Sequence, residues 1–89
     1  RMAAQVLDPK AVVFATQKLG IPANKVLATA KLLFEEECTI PFISRYRKEV
    51  TGNLDEVQIR DIQESYNEYV ETEKRREFIL DAIKKMEAL

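Results

Sequence analysis

Residues 39–58 read TIPFISRYRKEVTGNLDEVQ: an apolar half, the basic run Arg45-Tyr46-Arg47-Lys48, a glycine turn and an acidic restart. Pro41 disfavours helical geometry for Ile40 but suits the first turn of a helix. A short helix is therefore expected from Pro41 to about Glu49, with Phe42, Ile43, Tyr46 and Val50 on its apolar side. Gly52 would close it in a left-handed stop, and Asn53 with Glu56 three residues on reads as a capping-box variant opening another helix.

Outward from this stretch, all two glycines and three prolines fall where a helix would begin or end, which predicts an all-α chain. Asp8-Pro9 is an N-cap followed by proline at the first helical position, and Gly20 is a natural stop, bracketing a first helix over 9–19. Val12, Val13, Thr16 and Leu19 would face inward. After the break GIP, a second helix over about 23–36 carries Val26, Leu27, Ala30, Leu33 and Phe34 on one stripe, and the two form a helical hairpin. The helix over 41–49 is the short third. From residue 54 no glycine or proline interrupts, so a long fourth helix can run to the end, about 50 Å at the usual rise.

A compact globule of this length has a radius of gyration of only about 12 Å, so that fourth helix outruns the body beneath it unless it kinks near Ser65 or Asn67. Val57, Ile59, Ile62, Tyr66 and Tyr69 form its first apolar stretch, ETEKRRE a polar gap, and Phe78, Ile79, Leu80, Ile83 and Met86 a second cluster with no partner in these 89 residues. That cluster is expected to dock on sequence outside them or on another chain. Residues 1–53 are accordingly read as a three-helix portion and 54–89 as a long helix continuing onward, together one domain fragment. Arg1 before Met2 fits a start that is not the natural one.

The composition, 46% hydrophobic and 33% charged, is too apolar for disorder and too charged for a membrane span. Net charge is −1, so no overall field steers the molecule to nucleic acid. The charge is nevertheless segregated: residues 1–53 carry eight basic and five acidic groups, and residues 54–89 carry six and ten. A single cysteine, Cys38, and no histidine leave neither an internal disulfide nor the usual zinc set, and a reducing cytoplasm fits best.

Catalysis has little to work with. No imidazole activates Cys38, which reads as a small buried hydrophobe, and no glycine-rich phosphate loop is present. Glu35, Glu36 and Glu37 sit at a helix end rather than at the staggered loop positions a hard cation needs. No cofactor is expected, and the chain is read as a non-enzyme.

Arg45, Arg47 and Lys48 have two readings. They could grip nucleic-acid phosphates. They could instead be neutralised within the chain by Glu49, four residues from Arg45, and by Glu35, Glu36, Glu37, Asp55 and Glu56. The acid available favours internal pairing. Glu71 with Arg75 and Glu73 with Arg76 read as ordinary helical pairs, and Tyr66 and Tyr69 as core.

TIPFISRYRKEVTGNLDEVQIRDI, residues 39–62, resembles the signature near the N-terminus of the Tex-type bacterial transcription accessory proteins, relatives of a eukaryotic transcription elongation factor that is also a histone chaperone. LGIPANKVLATAKLLFEEE and EKRREFILDAIKK resemble the flanking family segments, so the likeness spans about residues 11–89. Two positions depart from the pattern: Glu37, where the family commonly has glycine, which weakens a left-handed stop there, and Asn53, often glycine or serine.

The resemblance implies a larger, RNA-binding protein with a nuclease-like portion that is catalytically inactive, a helix-hairpin-helix segment and a C-terminal oligonucleotide-binding barrel, the barrel carrying most nucleic-acid binding. It implies that this region is an N-terminal helical scaffold, with the remaining domains of the same protein as its partners. Two alternatives stand beside it: direct contact with nucleic acid by Arg45, Arg47 and Lys48, and recognition of the transcription machinery. The late apolar cluster also predicts self-association of the isolated chain.

Overall fold

The computed structural model describes residues 6–89, which are all-α with no strand among them. Five α-helices are α1 (Pro9–Leu19), α2 (Ala23–Ala30), α3 (Ile40–Tyr46), α4 (Lys48–Thr51) and α5 (Glu56–Glu87). A π-helical segment, Lys31–Glu35, continues α2. The expected hairpin is α1 with α2, and both also pack on α5.

α1 begins and ends as local chemistry dictates. The Asp8 carboxylate accepts the Lys10 amide at 2.9 Å, Pro9 stands at the first position, and left-handed Gly20 returns its N–H to the Thr16 carbonyl at 3.0 Å. Its buried residues are Ala11, Val12 and Ala15. Val13, expected inward, faces solvent because α1 rests on α5 through this small-residue face instead.

The second helix covers its expected length, but its last turn widens. The Glu36 amide donates to the Lys31 carbonyl at 3.0 Å, one residue wider than the usual helix closure, and the Cys38 amide donates to the Leu32 carbonyl at 2.9 Å, two residues wider. This widening puts Leu32, Leu33 and Phe34 all in the core, while Leu27, expected on the inner stripe, is exposed. Glu37 takes φ 57°, so the left-handed stop persists with glutamate where glycine would cost less.

The expected single third helix is two. α3 starts at Ile40, one residue early, since neither Ile40 nor Pro41 needs an intrahelical donor there. Arg47, at φ −129°, breaks the chain's helical path before α4. Only Ile43 of the expected apolar side is buried; Phe42, Tyr46 and Val50 are exposed. Gly52 closes α4 at φ 75°, where a Cβ would lie 2.7 Å from Lys25 Cε. Asn53 is also left-handed, at φ 68°, and does not cap α5. That role belongs to Asp55, whose carboxylate accepts the Gln58 amide at 2.8 Å while Gln58 Oε1 accepts the Asp55 amide at 3.0 Å.

The core gathers where the first half of α5 meets the other elements. Ile59, Ile62 and Tyr66 are buried against Ala11, Val26, Ala30, Phe34, Ile43 and Leu54; Val57, expected among them, is exposed. The Tyr66 ring stacks on Phe34 at 4.2 Å, and its hydroxyl accepts the Asp8 amide at 2.8 Å, so one side chain joins α5, the π-helical turn and the start of α1. Lys18 and Glu68 pair across α1 and α5. Beyond Val70 no residue of α5 is buried, and the radius of gyration is 15.7 Å with a longest extent of 56 Å, as the helix length predicts.

Candidate functional site

Two surfaces stand apart from this core. The first is the α3–α4 corner. The Thr39 hydroxyl accepts the Phe42 amide at 3.3 Å, Ile43 is fully buried, and α3 packs on α5, which fixes the direction of the remaining side chains. Phe42 is 36% exposed and Tyr46 55% exposed, with their rings 5.3 Å apart and tilted by 50°. The Arg47 guanidinium lies 4.9 Å from the centre of the Phe42 ring and donates to the Tyr46 carbonyl at 3.0 Å. That of Arg45 lies 6.0 Å from the Tyr46 ring. The result is a row of guanidinium, ring, ring and guanidinium on an open face.

The expected neutralisation by Glu35, Glu36, Glu49, Asp55 and Glu56 is not formed among the described residues: no ion pair joins any of them to Arg45, Arg47 or Lys48. The reason is geometric: an i,i+4 pair between Arg45 and Glu49 needs one continuous helix, and the break at Arg47 puts them on two. Asp55 is used as a cap, and Glu56 pairs with Arg60 at 3.9 Å. Glu56 also borders the shallow cleft lined by Pro41, Phe42, Ser44, Arg45 and Tyr46.

Sequence reasoning placed the three basic residues at this corner but missed Phe42 and Tyr46 as exposed partners. The signal was present in their spacing: Phe42, Tyr46 and Val50 form an i, i+4, i+8 stripe that excludes Ile43, and a helix this short buries only one stripe.

The second surface is the late part of α5, where Phe78, Ile79, Leu80, Ile83 and Met86 are all exposed, Phe78 and Met86 by 75% and 72%. The polar gap before it holds the pairs Glu71–Lys74 at 3.8 Å and Glu73–Arg76 at 3.9 Å; Glu71 pairs with Lys74, not with the expected Arg75. Tyr69, half-buried against Phe14 at 5.5 Å, donates its hydroxyl to Glu73 at 3.2 Å. Burial and that hydrogen bond push the Tyr69 phenol above its ordinary pKa. No group of three or more metal-ligating side chains occurs among the described residues, and no helix among them is long and apolar enough to cross a membrane.

The chain matches the family described as the Tex-like protein N-terminal domain over residues 9–84. It is similar to the transcriptional accessory protein Tex of Neisseria gonorrhoeae, 38% identical over 68 residues that cover 76% of this chain and 9% of that protein. Protein YhgF of Escherichia coli is 45% identical over 60 residues, 67% of this chain and 8% of the relative. The human S1 RNA-binding domain-containing protein 1 is 40% identical over 60 residues, 67% of this chain and 6% of the relative. The chain thus spans about a tenth or less of the curated relatives it matches. No solved structure matches it significantly. With a match that runs from the first residue of α1 to the last turn of α5, the chain belongs to the Tex-like protein N-terminal domain family.

Proposed function

We propose that these helices are the N-terminal scaffold of a larger cytoplasmic transcription accessory protein, which engages nucleic acid chiefly through its other domains. The observation that carries this reading is the late half of α5: five large apolar side chains on a helix that projects past its own core. Such a face in water calls for a cover. A cover from the rest of the same protein is supported by the relatives: one is named a transcriptional accessory protein, another is named for an S1 RNA-binding domain, and each is more than ten times longer than the part matched. The role is architectural: the first half of α5 anchors the hairpin, and the second half presents Phe78, Ile79, Leu80, Ile83 and Met86 to the following domains.

The test substitutes Ile79→Glu and Ile83→Glu in the full-length protein and in the 89-residue chain. In the short chain both side chains are already exposed, so the unfolding free energy should move by less than about 0.5 kcal/mol. In the full-length protein the same pair should bury uncompensated charge and expose the end of α5 to limited proteolysis. An unchanged full-length digest would refute the docking role.

A further inference from the structure

We infer that the α3–α4 corner is a second, independent contact for single-stranded nucleic acid, in which Phe42 and Tyr46 stack on bases while Arg45, Arg47 and Lys48 hold the flanking phosphates. Single strands are bound by aromatic platforms set among cations, because every base offers a π-face and every nucleotide a charge. The corner has both elements within seven residues, Phe42 to Lys48, across the junction of α3 and α4. The Phe42 and Tyr46 rings stand 5.3 Å apart and open to solvent, and guanidinium groups flank them at 4.9 and 6.0 Å. None of the three cations is held by an ion pair among the described residues, so their charge is available.

The chemistry favours a single strand over two alternatives. A duplex hides its base faces, leaving exposed rings nothing to stack on. An acidic peptide would be served by the cations alone and gives no use to two rings held at stacking distance from each other. Glu49 and Glu56 beside the corner limit the cationic field, so binding is local and rests on stacking as much as on charge. The scaffold role does not depend on this contact.

The experiment is fluorescence anisotropy of the chain with a labelled oligouridylate of about 12 nucleotides, long enough for one such platform. Saturable micromolar binding is expected, with a slope of log affinity on log salt near −2, since three phosphate contacts on a single strand contribute about −0.7 each. Tyr46→Ala should weaken binding by at least about fivefold, the lower bound for one stacked base. Arg45→Ala with Arg47→Ala should bring the slope to about −0.7. Arg75→Ala with Arg76→Ala, which removes equal charge from the polar gap, should leave affinity unchanged. Circular dichroism verifies that each variant is folded; Tyr46, Arg45 and Arg75 lie outside the core. Absence of saturable binding overturns the inference, as does equal weakening by the Arg75 and Arg76 pair. Tighter binding of a polyglutamate peptide or of duplex RNA than of oligouridylate overturns it in favour of an acidic protein partner or a backbone-only contact.

Discussion

Replacing Tyr66 by phenylalanine isolates the contact that closes the fold. The ring remains and keeps its stacking on Phe34 at 4.2 Å, so no cavity opens; what goes is the hydroxyl that accepts the Asp8 amide at 2.8 Å. Asp8 is the N-cap of α1, and its part-buried N–H loses its protein acceptor. A buried donor left unsatisfied costs about 1–3 kcal/mol, and partial access to water places this one near 1–1.5 kcal/mol. For a domain of this size that is a loss of roughly 4–12 °C in melting temperature. In urea, with a slope near 1–1.5 kcal/mol per molar, the midpoint should fall by about 1 M at constant slope. Far-UV circular dichroism follows the transition, and amide exchange at Asp8 should accelerate in the native state beyond the global change. Tyr66→Ala, by contrast, removes the ring as well and should cost about 3–5 kcal/mol, a large part of the total stability. A Tyr66→Phe midpoint within about 0.2 M of the parent would refute the claim that this hydroxyl ties α5 to α1.

Four further outcomes follow from named contacts. Asp55→Ala should destabilise by about 1 kcal/mol in urea unfolding, whereas Asn53→Gly should be neutral or slightly stabilising, because the cap is Asp55 and Asn53 occupies a left-handed position. Gly20→Ala and Gly52→Ala should each lose about 1–2 kcal/mol of stability for their positive φ, with Gly52 the costlier because Lys25 must also move. Thr29→Val should leave stability unchanged or raise it by up to about 1 kcal/mol by calorimetry, since the Thr29 hydroxyl is buried without a hydrogen-bond partner. Glu73→Gln should lower the Tyr69 phenol toward its ordinary value in a spectrophotometric titration. Its folded-state pKa is raised, so its contribution to stability is complete below about pH 10 and is lost as pH rises through the folded value.

The helix ends were legible because they are local. Asp8, Pro9, Gly20 and Gly52 carry their instructions in their own backbone preferences, and the structure uses each as read. The facing of side chains was less legible, because it depends on contacts far along the chain. The widened turn at Lys31–Glu35 shifts the register of the second helix, turning Leu32 in and leaving Leu27 out, and no local rule marks it. The break at Arg47 likewise answers to tertiary packing: Ile43 and Thr51 are both fully buried, and Leu54 nearly so, although the residues between offer an unbroken helical pattern. That break also removed the expected Arg45–Glu49 pair. The late apolar face was readable from spacing alone, since a polar gap and a length argument separate Phe78 to Met86 from the core.

The two surfaces differ in chemistry and are far enough apart to be tested independently. Glu56, at the aromatic corner, and Ile79, on the apolar face, are 23 residues apart on α5, about 35 Å at the helical rise. Sites at such a distance with no shared partner are expected to add in their effects. The charge does not follow the same division: residues 1–53 have a balance of +3, and the −4 of residues 54–89 lies within residues 54–70, leaving residues 71–89 neutral. With five basic and five acidic groups in residues 71–89, the late end of α5 has no net charge to draw a polynucleotide, and Phe78 to Met86 stay available for protein. One continuous helix can then serve as a spacer, holding the corner at a fixed distance from whatever domain covers the far end, because the first half of α5 is locked into the core by Ile59, Ile62 and Tyr66.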